Sequence, residues 1–177
     1  MPRHDLMIVG WREWLAIPEI GIGALKAKVD TGARTSALHA EDIETFEDGG
    51  VDLVRFVTRP GQGPDGDPVQ VVAPLVGEGE IRSSNGEAEL RPVVAVRIEM
   101  PFVRLGRRSE GDRPAPAGLD APIEMTLTDR SSMGFRMLLG RTALAGHLAV
   151  DAGSSYLLGR PPRAIRRRNR SDQVDAP

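Results

Sequence analysis

The chain contains no cysteine in 177 residues. Disulfides, thiolate zinc sites and cysteine nucleophiles are thereby excluded. Aromatic residues make up only 4% of the chain, and none lies in its basic C-terminal segment, so stacking on nucleic acid bases has little support. No run of about 18 apolar residues exists, which argues against a membrane-spanning helix. The N-terminal MPRHDLMIVGWREWL breaks its short apolar run with Arg12 and Glu13 and offers no small-residue cleavage site, so it does not read as a signal peptide. The expected compartment is the reducing cytoplasm. The only histidines are His4, His39 and His147. Neither H-E-x-x-H nor H-x-x-E-H occurs, so no metal is expected, although His39, His147 and a carboxylate remain conceivable ligands. There is no G-x-x-x-x-G-K-[ST], and Gly21-Ile22-Gly23 lacks the third glycine of a dinucleotide fingerprint. No cofactor is expected. A serine hydrolase would lack its G-x-S-x-G. Long helical periodicity is also missing.

What is present is short and alternating. DLVRFVTR (52–59), VQVVAPLV (69–76), LRPVVAVRIEM (90–100) and PIEMTLTD (122–129) are rich in Val, Ile and Thr and bounded by Gly, Pro or Asp. They read as strands of an all-β barrel or sandwich. One brief helix is expected over RTALAGHL (141–148). Two Pro-, Gly- and Asp-rich segments, 59–68 and 106–122, read as mobile loops with too little apolar content to order themselves. Residues 160–177 carry six arginines and two aspartates, a net of +4, which leaves −6 on the other 159 residues. This tail is expected to be disordered and solvated. Arg-rich segments can bind phosphates, but nucleic acid is not the favoured partner.

Chemistry gathers at KAKVDTGARTSAL (26–38). A strand-like approach ends on Asp30, Thr31 and Gly32. In isolation a capped turn explains such a triplet better than catalysis does, because Asp and Gly are common turn residues. The strand before it, the small Gly32 and Ala33 after it, and FRMLLGR (135–141) far downstream favour a site.

VDTGA followed by a distant LLGR resembles the pattern of retropepsin-like aspartic proteases. Between them IRSSNGEAELRPVVAVRIEM (81–100) looks like a flap hairpin closed by an Asn85-Gly86 type I′ turn. The phrases KAKVDTGARTSALHA, RSSNG, LRPVV, PIEMTLTDR and MGFRMLLGRTAL are similar to a bacterial group named RimB, also labelled ATP-dependent zinc protease. The resemblance runs from about Ile8 to Arg160, with 106–122 as an insertion. It implies a protease domain over 1–159, built as a closed all-β barrel with a flap and one short helix, in a two-fold homodimer. It implies Asp30, Thr31 and Gly32 as catalytic residues, with the Thr31 hydroxyl bonding across the dimer axis. Ala33, Arg34, Arg82, Ser83, Ser84, Asn85, Gly86 and Arg141 would contact substrate, and Leu138, Leu139 and Gly140 would support the loop. Arg34 and Arg141 read equally well as cations for acidic substrate groups or as surface ion-pair partners. Family members sit beside an enzyme that adds glutamates to a ribosomal protein, which implies a peptide or protein substrate rich in glutamate.

The chemistry itself imposes a count. Peptide hydrolysis by this route needs two carboxylates sharing one proton. Asp151-Ala152-Gly153-Ser154 is a second D-x-G, but only 26 residues follow Asp151, too few for a second lobe. The partner of Asp30 is therefore expected to be Asp30 of an identical chain. A non-catalytic binding or dimerisation module and a zinc-dependent peptidase are the alternatives.

Overall fold

Alternation of side chains along each segment decides which strands form and which face they bury. The computed structural model describes residues 6–62, 66–82, 86–100 and 119–168. Its strands are β1 (Met7–Gly10), β2 (Arg12–Ile17), β3 (Ile22–Val29), β4 (Ser36–His39), β5 (Glu41–Asp48), β6 (Val51–Thr58), β7 (Val69–Arg82), β8 (Ala88–Met100), β9 (Leu119–Thr128), β10 (Met137–Leu139) and β11 (Leu148–Asp151). Two short helices, α1 (Arg141–Leu144) and α2 (Arg163–Arg168), and a 3-10 turn at Pro18–Ile20 complete the described elements. The protein is all-β.

β8 shows the logic. Val94, Val96, Ile98 and Met100 are buried, while Ala95 and Arg97 between them are exposed. The buried set joins Leu15, Leu25, Leu38, Phe56, Met125, Leu127, Met137 and Leu139 in one core cluster. Nine strands hydrogen-bond in the order β2-β3-β10-β4-β9-β8-β7-β6-β5, and β2 also meets β8 through Ala16 and Glu99. β1 and β11 form a separate parallel pair.

The feature that positions the site is the place of β10. It runs parallel to β3 and antiparallel to β4, between the two. The chain leaving β3 must therefore pass over the end of β10 before it enters β4. That crossing is the segment 30–35, and it cannot be part of any ladder.

The C-terminal part of the fold is held by a buried acid. Glu13 is fully buried on β2, and its Oε1 accepts from the amides of Gly10 at 2.7 Å and Leu157 at 2.8 Å. Its Oε2 accepts from Leu158 at 3.4 Å. Burial raises the Glu13 pKa, opposed by the same three amides and by the charge of Arg160. Read along the sequence, Glu13 merely interrupts an apolar run, yet it joins segments about 144 residues apart.

Several expectations need correction. β9 begins at Leu119 and pairs with β8 from Met100↔Leu119 onward, so the C-terminal end of the loop assigned to 106–122 is strand. The rest of that loop lies outside the described residues. The helix expected over 141–148 stops at Leu144, and β11 takes over at Leu148, because Gly146 adopts a left-handed φ of 80° and the chain turns. Part of the tail is ordered as α2, so disorder does not begin at Arg160; residues 169–177 lie outside the described set. The segment 59–68 is pinned at its ends by polar bonds: Arg136 Nε donates to the Gly61 carbonyl at 3.4 Å, and Arg59 Nη1 to that of Gly66 at 3.1 Å. Residues 63–65 of this segment lie outside the described residues. The hairpin of β7 and β8 is present, but its last described pair, Arg82↔Ala88, leaves five residues between the strands. The expected Asn85-Gly86 turn draws on residues 83–85, which lie outside the described residues.

Candidate active site

Period-two alternation puts Lys28 and Asp30 on one face of the strand exit, with Ala27 and Val29 buried between and behind them. Lys28 Nζ lies 3.2 Å from Asp30 Oδ2, with side chains 45% and 24% exposed. Oδ1 of Asp30 accepts from the amides of Gly32 at 2.9 Å and Ala33 at 3.2 Å. The carboxylate thus closes its own turn. Partial burial pushes the Asp30 carboxyl up, but Lys28 and the two amides together outweigh it and hold the pKa below its ordinary value. Thr31 and Gly32 are exposed.

The loop is braced from behind. The Asp30 amide donates to the Leu139 carbonyl at 2.9 Å. The amides of Arg141 and Thr142 donate to the carbonyls of Ala33 at 2.9 Å and Arg34 at 3.1 Å. The Gly140 amide donates to Ser36 Oγ at 3.1 Å, a buried bond. Gly140 has no alternative: a β-carbon there would come within 2.5 Å of the Thr35 carbonyl carbon and 2.8 Å of the Arg34 oxygen. Gly32 is also tight, since its added β-carbon would meet Asp30 Oδ1 at 3.1 Å.

A cleft of about 830 Å³ opens beside this loop. Gly32, Ala33, Arg34 and Thr35 form one wall, and Gly79, Glu80, Ile81 and Arg82 of β7 contribute another. Of the residues assigned to substrate, Ala33, Arg34 and Arg82 line it. Ser83, Ser84 and Asn85 lie outside the described residues, and Gly86 is exposed with a φ of 86°. Arg141 does something else: its Nη1 donates to the carbonyls of Thr31 at 3.0 Å and Gly32 at 2.8 Å. It clamps the loop, and no carboxylate pairs with it among the described residues. Of the support residues, Leu138 also lines the cleft, while Leu139 and Gly140 are fully behind it. Asp151 ends β11 and closes its own turn by accepting from the Gly153 amide at 2.9 Å and the Ser154 hydroxyl at 2.6 Å.

Two cleft residues, Arg91 and Arg130, were not assigned any role from sequence. Both sit inside phrases that carry the resemblance, LRPVV and PIEMTLTDR. The signal that singles them out is burial, which a sequence does not display.

His39 sits next to this region and is fully buried. The Arg130 amide donates to its Nδ1 at 3.0 Å, so the ring proton resides on Nε2, 3.0 Å from Glu41 Oε1. Both nitrogens are engaged. Burial lowers the His39 pKa; the Glu41 bond opposes it, the charge of Arg136 adds to it, and the charges of Glu41 and Asp129 oppose it. A histidine kept neutral in the fold binds fewer protons than in the unfolded chain. Its contribution is therefore intact above the unfolded pKa of about 6.5 and declines as pH falls from there toward the folded value. Melting temperature should fall between pH 7.5 and 5, and His39→Gln should flatten that slope. Glu13 contributes with the opposite sign in both proteins, so the difference between them isolates His39. Parallel pH profiles would refute the assignment.

The family model for RimB-like proteins, described as retropepsin-like aspartic endopeptidase RimB, matches residues 8–105. A probable α-L-glutamate ligase of Shewanella pealeana is 39% identical over 152 residues, covering 86% of this chain and 30% of that protein. A protein of the same name from Desulfotalea psychrophila is 36% identical, covering 86% and 29% respectively. The chain thus spans about three tenths of these curated relatives. The crystal structure of a Legionella pneumophila protein of unknown function shares the fold, with a TM-score of 0.63 and 24% identity over 86% of this chain and 98% of that one. With the family model covering more than half of its length, and with the loop, brace and hairpin in the arrangement described, the chain belongs to the RimB-like, retropepsin-like aspartic endopeptidase family.

Proposed function

We propose that the protein is an aspartic endopeptidase whose dyad is formed by Asp30 of two protomers, and that it cuts glutamate-bearing cytoplasmic peptides or proteins, a ribosomal protein among the candidate substrates. The observation that carries this reading is Asp30 itself: a partly exposed carboxylate at a loop tip, fixed from behind by Leu139, Gly140 and Arg141. A closed retropepsin barrel and a two-fold axis through Thr31 belong to the same proposal. One ionised Asp30 takes a proton from water while the protonated one donates to the scissile carbonyl oxygen. Water's oxygen bonds to the carbonyl carbon. The C–N bond then breaks, and the amine leaves with a proton. Bringing the two carboxylates together raises the pKa of one, and Lys28 beside each works against that rise.

The glutamate part of the reading draws on the cleft's arginines and on the relatives' name, which concerns attachment of glutamate by those proteins. The zinc alternative would need His39, whose two nitrogens are already committed to hydrogen bonds. A non-catalytic module would not need a carboxylate at the loop tip.

Subunit mixing tests the dyad. Wild type is combined with increasing Asp30→Asn chain under conditions where exchange has been verified. Mixed dimers carry one ionisable carboxylate, so activity should follow the square of the wild-type fraction. A linear dependence would mean that each chain works alone.

A further inference from the structure

Arginine pairs in protein interiors are normally accompanied by acids, because a charge removed from water without a counter-charge is unfavourable. The cleft beside Asp30 departs from that rule. Arg130 is only 7% exposed and forms part of its wall. Its Nε donates to the Phe135 carbonyl at 3.1 Å, and it makes no ion pair among the described residues. Arg91 enters the same wall from β8. Its Nη2 reaches Glu89 at 2.6 Å, an acid that is 58% exposed, while its buried Nε has no partner among the described residues. The two guanidinium groups also act on each other: after burial, the charge of Arg91 is the main influence lowering the Arg130 pKa, and Asp30 opposes it. The acids in the wall do not resolve this. Glu80 is exposed and bonded to Arg82, and Glu124 is exposed.

We propose that Arg91 and Arg130 form a carboxylate-binding subsite that selects an acidic side chain of the peptide next to the bond being cut. The inference rests on the peptidase reading for its consequence, not for its geometry. A guanidinium fork matches a carboxylate through paired N–H donors, and an entering carboxylate would supply the missing counter-charge. Backbone placement supports the role. The Arg130 amide is fixed on buried His39, and Arg91 stands opposite Gly79 of β7, two residues before β8 begins to pair with β9 at Val93. A glutamine of the same shape would leave Arg130 without an ion-pair partner and bring no charge to Arg91 beyond Glu89, so discrimination should exceed what a methylene difference provides.

The test uses full-length protein, two peptides identical except for Glu or Gln at the residues flanking the cleavage site, and the variants Arg130→Gln and Arg91→Gln. In wild type, kcat/KM should favour the Glu peptide by about 1,000-fold, above the roughly 10- to 200-fold of a methylene difference. Each variant should lower that preference at least about 10-fold while cutting the Gln peptide near the wild-type rate. Arg130→Lys should recover part of it, because charge returns without the fork. Binding is measured separately by fluorescence anisotropy of labelled tetraglutamate and tetraglutamine on Asp30→Asn protein, with and without Arg130→Gln. Binding of tetraglutamate alone, lost in the double variant, supports the subsite even if no peptide is cut, in which case only the peptidase reading fails. An unchanged Glu preference in folded variants, or equal binding of the two tetrapeptides, overturns the subsite. If Arg130→Gln does not fold, Arg91→Gln decides, since its side chain is 20% exposed.

Discussion

Asp30→Asn should abolish peptide hydrolysis, by about 1,000-fold or more, and leave the fold intact. The size follows from the role. General acid–base chemistry alone contributes on the order of 100- to 10,000-fold, and this exchange removes the ionisable group from both halves of the proposed dyad. The stability expectation follows from contacts. The Asn carbonyl can still accept from the amides of Gly32 and Ala33. What is lost is the pairing with Lys28, which is exposed, while Asp30 is half-buried. Exposed ion pairs contribute about 0–1 kcal/mol. Circular dichroism and melting should therefore track wild type. Asp30→Ala is a useful contrast, because it also removes the acceptor that closes the turn. Wild-type turnover in a clean Asp30→Asn preparation would end the aspartic reading outright.

What could be read in advance, and what could not, divides along physical lines. The strands of the middle of the chain were legible because alternation of Val and Ile with polar residues leaves few other options, as in 90–100. Gly32 and Gly140 were legible as tight positions because backbone close approach leaves a mark on residue type. Arg141 was visible as a cation but not as a clamp. Whether a guanidinium faces substrate or a neighbouring carbonyl depends on the crossing of 30–35 over β10, which no local pattern encodes. Arg91, Arg130, His39 and Glu13 share a different obstacle. Each is a polar residue that the chain's tertiary path buries, fully or nearly so for Glu13, His39 and Arg130 and partly for Arg91. Polarity in a sequence suggests a solvated surface, and the partners that make burial tolerable lie as far as about 144 positions away. The start of β9 at Leu119 was hidden in the same way, since a strand paired to β8 draws its order from that neighbour.

Gly140→Ala should be severely damaging although it leaves every charged and catalytic group in place. The added carbon would overlap the Thr35 carbonyl, coming within 2.5 Å of its carbon. This is backbone, so no rotamer change relieves it; either β10 or the loop 30–35 must shift. Relief to ordinary contact requires a displacement of roughly 1 Å, and misplacement on that scale costs on the order of 100-fold in rate. The same shift stretches the bonds that register the loop: Asp30 to Leu139, Arg141 to Ala33, Thr142 to Arg34, and Gly140 to Ser36 Oγ. Overpacking of this kind costs about 1–3 kcal/mol. The expected signature thus pairs lost activity with a lowered melting temperature, whereas Asp30→Asn shows the first without the second. Ser36→Ala gives a graded control. It removes one buried hydrogen bond to Gly140 without steric intrusion and should cost about 1–3 kcal/mol with a smaller loss of rate. If Gly140→Ala melts and turns over like wild type, the loop is not held by β10, and the placement of Asp30 needs another cause.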